Sequence, residues 1–143
     1  MYYRKDADQL TMEEFYQPFG GRLRKDNRWV RLSEIMPWTH IEEIYAGRMS
    51  EETGRPGLSS RIAFGALYIK AHCHLTDEET VENLQENAYM QYFVGLHAFH
   101  PEPLFEASMM VNFRIGIYFN FLYPFLDQNI ERLILDFFCQ LFL

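Results

Sequence analysis

At 143 residues, with 48% hydrophobic and 23% charged side chains, the chain matches one small soluble domain with room for a real core. Its two cysteines, Cys73 and Cys139, exclude a disulfide framework and make a reducing, cytoplasmic setting the expectation. A formal net charge of −7 argues against strong nucleic-acid binding by the chain as a whole. The charge is polarised, however. Arg22, Arg24, Lys25, Arg28 and Arg31 fall within ten residues, whereas Asp77, Glu78, Glu79, Glu82 and Glu86 form an acidic segment.

The opening MYYRKDADQL is polar from residue 4, so no secretory leader is expected. Thr11 and Glu14 stand at capping-box spacing ahead of Phe15, Tyr16 and Phe19, which predicts a first helix. Pro18 and Gly20-Gly21 limit it to a turn or two. GGRLRKDNR reads as a solvated loop, and Trp29 to Met36 as a short apolar-patterned piece closed by Pro37. Thr39 and Glu42 form a second capping box, with Ile41, Ile44 and Tyr45 on one helix face through about Met49. SEETGRPGLSS is a loop. Ser59 or Ser60 then caps a helix carrying Ile62, Phe64, Ala66, Leu67, Ile69 and Ala71. This helix is apolar nearly all round, hence central and buried.

Thr76 and Glu79 form a third capping box, whose acids suit a positive helix terminus. Val81, Leu84 and Ala88 line the inner face behind it. Tyr89 to Leu96 is an apolar turn or helix ending at Gly95, His100 to Pro103 a rigid loop, and Ala107 to Arg114 a last element. No strand period persists, so the expected class is all-α, a compact helical domain with a helix-turn-helix-like unit at the tight His74–Thr76 junction. After Arg114 the composition shifts to Phe, Leu, Ile and Tyr. Pro124 and the polar run from Asp127 to Arg132 break this tail into pieces shorter than the ~20 residues of a bilayer span. Ile130, Leu133, Ile134, Phe137, Phe138, Leu141 and Phe142 keep helical spacing, an amphipathic face for the domain or a second copy.

The segments YRKDADQLTMEEF, DNRWVRLSEIMPW, SEETGRPG, RIAFGALYIK, LTDEETVENLQENAYMQYFVGL and MVNFR occur in that order. Together they resemble the N-terminal domain of bacterial insertion-sequence transposases of the DDE type, over roughly residues 2 to 114. The resemblance implies a helical domain that helps bind the terminal repeats of the mobile element. In the family a ribonuclease-H-like domain follows, whose two Asp and one Glu hold two divalent metals about 4 Å apart. No such domain is expected within these residues, and the acids from Asp77 to Glu86 are expected to sit on one short helix as a solvated face. The fragment is therefore expected to be catalytically inert, with residues 1–114 as the transposase domain and 115–143 as an apolar tail. Agreement with the family ends where Arg114 is followed by Ile-Gly-Ile, which suggests a frameshifted tail, with a genuine amphipathic tail as the alternative.

The expected partner is DNA, and no cofactor and no metal are expected. Candidate contacts are Arg22, Arg24, Lys25, Arg28 and Arg31 in the basic loop, Arg55 and Arg61 flanking the Gly-Pro loop, and Asn112 with Arg114 in the last helix. Asn112 carries the amide that pairs with adenine. Lys70 either reaches phosphate or snorkels to solvent. The acids argue against Thr76 to Glu86 as a recognition helix. His72-Cys73-His74 makes a poor metal site, because neighbours on a helix diverge by about 100°. The competing reading is a protein-interaction module that dimerises or regulates full-length transposase, or a remnant without selected function.

Overall fold

The computed structural model describes residues 15–17, 20–46 and 57–117. These form six α-helices: α1 (Arg28–Ile35), α2 (Trp38–Ala46), α3 (Ser60–Cys73), α4 (Asp77–Glu86), α5 (Ala88–Phe93) and α6 (Met109–Ile117). The all-α class holds for the described residues. Their one departure from helix and loop is an isolated parallel bridge between Tyr16 and Ala98.

The near-continuous apolar sequence of α3 makes it the axis. Ala63, Ala66 and Ile69 are fully buried, and α2, α4 and α6 all pack on this helix. Small residues set the spacing. A Cβ at Gly65 would stand 2.8 Å from Cγ1 of Val94, so only glycine admits the end of α5 this close. α1 lies against α5 and runs antiparallel to α3. Its first turn brings Trp29 to Tyr68 and His72, while Ser33 meets Arg61 at the other end of α3. Trp38 closes the layer edge-on to Phe64 and Phe93, and its Nε1–H donates to the Ser33 carbonyl at 2.9 Å, capping the last turn of α1.

The capping signals divide into those the fold uses and those it does not. At α4 both capping-box bonds are made: Glu79 N–H donates to Thr76 Oγ1 at 3.1 Å and Thr76 N–H to Glu79 Oε2 at 2.8 Å. Ser59 caps α3 by accepting from Ile62 N–H. The Thr39–Glu42 box is not formed. α2 begins already at Trp38, immediately after Pro37, so Thr39 lies inside the helix and is exposed. Glu42 turns inward instead, where it accepts a hydrogen bond from Ser60 Oγ at the N-terminus of α3. The expected helix around Phe15 and Tyr16 is also corrected. These residues are extended, with Tyr16 N–H donating to His97 O and Phe99 N–H to Tyr16 O. Burial explains this choice. Extended backbone seats Phe15 with Leu23, Val30 and Tyr92 in a second apolar cluster. The Thr11–Glu14 box, the end of α2 beyond residue 46, Arg55 and the tail from 118 lie outside the described residues.

The α3–α4 junction is as tight as its sequence implies. His74 adopts the left-handed conformation at φ 56°, and Leu75 N–H closes back onto Lys70 O at 2.9 Å. No helix among the described residues is long and apolar enough to cross a membrane.

Candidate nucleic-acid interface

The basic segment is exposed but its backbone is fixed. Leu23 is buried in the second cluster, the Tyr89 hydroxyl accepts from Arg24 N–H at 3.1 Å, and the Asn27 side chain caps α1 through Trp29 N–H at 2.9 Å. Arg22, Arg24, Lys25, Arg28 and Arg31 therefore project into solvent from an anchored strip. Arg24 is forked onto Asp26 at 2.6 and 3.1 Å. That hydrogen bond raises the Arg24 guanidinium above its ordinary value and lowers the Asp26 carboxyl. Both side chains are highly exposed, so the pair is weak. The Arg28 guanidinium sits 5.3 Å from the centroid of the Trp29 ring.

Arg61 and Arg114 occupy different settings. Arg61 points into the protein, with Nε donating to Phe93 O at 2.9 Å and Nη2 to Ser33 Oγ at 2.8 Å and Tyr92 O at 3.2 Å. Its guanidinium lies 4.5 Å over the Trp38 ring. Burial pushes its pKa down to about 10, which leaves the side chain charged at neutral pH. Gly95, at φ +90°, makes room for it, since a Cβ there would meet Arg61 Cδ at 2.8 Å. Arg61 thus joins α1, α3 and the end of α5 rather than facing a ligand.

Arg114 forks onto Asp77 at 2.8 and 3.0 Å. Lys70 reaches the same carboxylate at 3.0 Å and donates to Leu75 O. The Arg114 hydrogen bond first, then that of Lys70, holds the Asp77 carboxyl below its ordinary value, while desolvation opposes them. This cluster ties α6 to the α3–α4 junction. Asn112 is exposed on α6 beside Val111 and Ile115, which are 46% and 51% exposed. Its amide Nδ2 lies 3.9 Å from Met109 Sδ.

Two interior polar residues are not evident from the sequence. Gln91 is fully buried and serves four main-chain groups. Nε2 donates to Leu84 O and His100 O, both at 2.8 Å, and to Gln85 O at 3.3 Å. Oε1 accepts from His100 N–H at 2.7 Å. Glu42, only 6% exposed, is the other. A glutamine inside the apolar run AYMQYFVGL is the one signal that points to the first. Nothing in THIEEIY separates Glu42 from Glu43 except helical phase.

The surface at the start of α1 carries a further ordered group. His72 is exposed, and its ring stacks on Tyr68 at an interplanar angle of 13° and a centroid distance of 5.6 Å. The same imidazole stands edge-on to Trp29 at 5.6 Å. Cys73 is a half-buried free thiol beside it. Among the described residues no group of three or more His, Cys, Asp or Glu could hold a metal ion.

Comparison with known proteins bears on this arrangement. The sequence profile of the transposase domain DUF772 matches residues 17–115. An uncharacterized protein of Rhizobium meliloti, ORF8 in the nfe locus, is 40% identical over 86 residues, which cover 59% of this chain and 41% of that protein. The chain thus spans less than half the length of that relative. No solved structure matches this chain. The matched residues contain the exposed basic strip, the Arg61 clamp and the Asp77 cluster, and by that match the chain belongs to the DUF772 transposase-domain family, with a role related to transposition.

Proposed function

We propose that the chain is the DNA-associating N-terminal module of an insertion-sequence transposase, catalytically inert by itself. Its contacts would be phosphate contacts made by Arg22, Arg24, Lys25, Arg28 and Arg31. The observation that carries this reading is the contrast within the arginines. The cations of the strip are exposed on a pinned backbone, whereas Arg61 and Arg114 hold helices together. Phosphate contact asks for cations at a fixed register and little else. α4 is not needed as a recognition helix, and its carboxylates would face the phosphates if it were one. Residues 115–143 are proposed to be a tail read from another frame, which translation of the neighbouring DNA in all frames tests.

Anisotropy of a labelled terminal-repeat duplex provides the functional test. The chain is expected to bind with an affinity that falls steeply with salt. Arg28→Glu with Arg31→Glu should weaken binding by about tenfold or more and flatten the salt slope by roughly one unit for each cation removed from the phosphates. Salt-independent binding, or binding indifferent to these changes, would sink the proposal.

A second reading, a module that pairs with itself or with full-length transposase, is favoured by one observation. Val111 and Ile115 stand exposed one turn apart on α6.

A further inference from the structure

The end of α3 nearest the basic strip is built from aromatic rings that continue from the core to the surface. Phe93 is fully buried, and both Trp29 and Tyr68 pack on it, with centroids at 5.3 and 5.5 Å. Tyr68, half-buried, stands edge-on to Trp29 at 6.4 Å. His72 lies on Tyr68 as the outermost ring, and it is exposed. A surface imidazole in the last turn of a helix ordinarily samples several rotamers. Here the ring lies offset-stacked beside a tyrosine that is itself packed on Trp29 and Phe93, and it is edge-on to Trp29. The ordering cost of presenting a flat ring to solvent has been met within the fold. The α1 cations lie at the same end. Arg28 Cζ is 5.3 Å from the Trp29 ring and the His72 ring centroid is 5.6 Å from that of Trp29, so both groups border the same indole.

We propose that His72, ordered on Tyr68, is a stacking platform for an unpaired nucleobase, with Arg28 and its neighbours holding the adjoining phosphates. This rests on the phosphate-contact reading of the basic strip and adds to it a preference for DNA that carries unpaired nucleotides. The chemistry suits such a ligand. Every base offers a π-face, stacking needs no sequence-specific acceptor, and a guanidinium close by supplies the backbone contact that a lone ring lacks. Duplex DNA cannot use the platform, because its bases are already stacked on one another.

The test compares two probes on the full chain: a duplex of roughly 20 base pairs, and the same duplex bearing a short oligothymidine overhang. The overhang is expected to tighten binding by about tenfold. His72→Ala should abolish that gain and leave duplex binding unchanged, while His72→Phe should keep it. Arg28→Glu should weaken binding to both probes. If the wild-type chain binds both probes equally, the platform is refuted and the phosphate-contact reading stands. A gain that survives His72→Ala, or one kept by His72→Lys and lost in His72→Phe, overturns it as well, the latter marking His72 as a simple cation. Failure to bind either probe refutes both readings. Thermal melts of the His72 variants are expected to match the wild type, since the ring is exposed.

Discussion

At the scale of single residues, the most consequential side chains are polar groups placed where apolar ones would be expected. Gln91 replaces the missing secondary-structure partners of the last turn of α4 and of the loop at His100. Gln91→Leu keeps the volume and removes every one of those bonds. It is expected to cost roughly 3 kcal/mol, read as a lower denaturation midpoint with an unchanged m-value. From α3, Arg61 serves acceptors on both α1 and α5 through one planar group. Arg61→Lys cannot span them and should lose most of the stability that Arg61→Ala loses, about 2–4 kcal/mol. Rescue to wild-type stability by lysine would mean that charge alone matters there. Both changes are expected to weaken DNA association only as far as they unfold the domain.

At the scale of elements, the junction of α3, α4 and α6 rests on one carboxylate. The folded-state pKa of Asp77 is depressed, so its contribution is complete above the ordinary carboxylate value and is lost as pH falls through the depressed one. Thermal stability should therefore be flat near neutrality and fall below about pH 4, and Asp77→Asn should remove part of that fall. At neutral pH the same change is expected to cost about 1 kcal/mol, as the carboxylate is partly exposed. An acid profile identical in Asp77→Asn would show that other carboxylates govern it.

The elements also show how far sequence carries. α3 is legible because its apolar face is so wide, and α4 because Thr76 and Glu79 have no better partners than each other. The Thr39–Glu42 pair has the same spacing and fails, because Pro37 sets the helix start earlier and Ser60 competes for the carboxylate. Local spacing cannot register a partner eighteen positions away. For the same reason the arginines look alike in sequence. Arg61 differs from Arg28 through Gly95, Ser33 and the Phe93 carbonyl, which meet only in three dimensions. Local signals place Phe15 and Tyr16 in a helix, and the distant strip His97–Phe99 decides otherwise.

At the scale of the whole molecule, a net anion can meet DNA only if its cations are grouped and turned outward, as the strip preceding and opening α1 is. The proposed pairing through the outward residues of α6 is tested by the state of the chain in solution. Sedimentation at micromolar concentration should show self-association that Val111→Ser with Ile115→Ser abolishes, if those residues form an interface. A monomeric wild-type chain would discard the pairing reading.

The bridge between Tyr16 and Ala98 also gives the domain an order in time. A ribosome adding about 5–20 residues per second releases Phe15 and Tyr16 early, but the strip they pair with emerges after α5. During that interval Phe15 has no Tyr92 to cover it, and the basic strip lacks the Tyr89 hydroxyl that fixes Arg24. Joining segments so distant along the chain is also slow. The nascent chain therefore acquires its anchored row of cations only when Tyr89 and Tyr92 have left the exit tunnel. Any association with DNA that depends on that row must follow translation of nearly the whole domain.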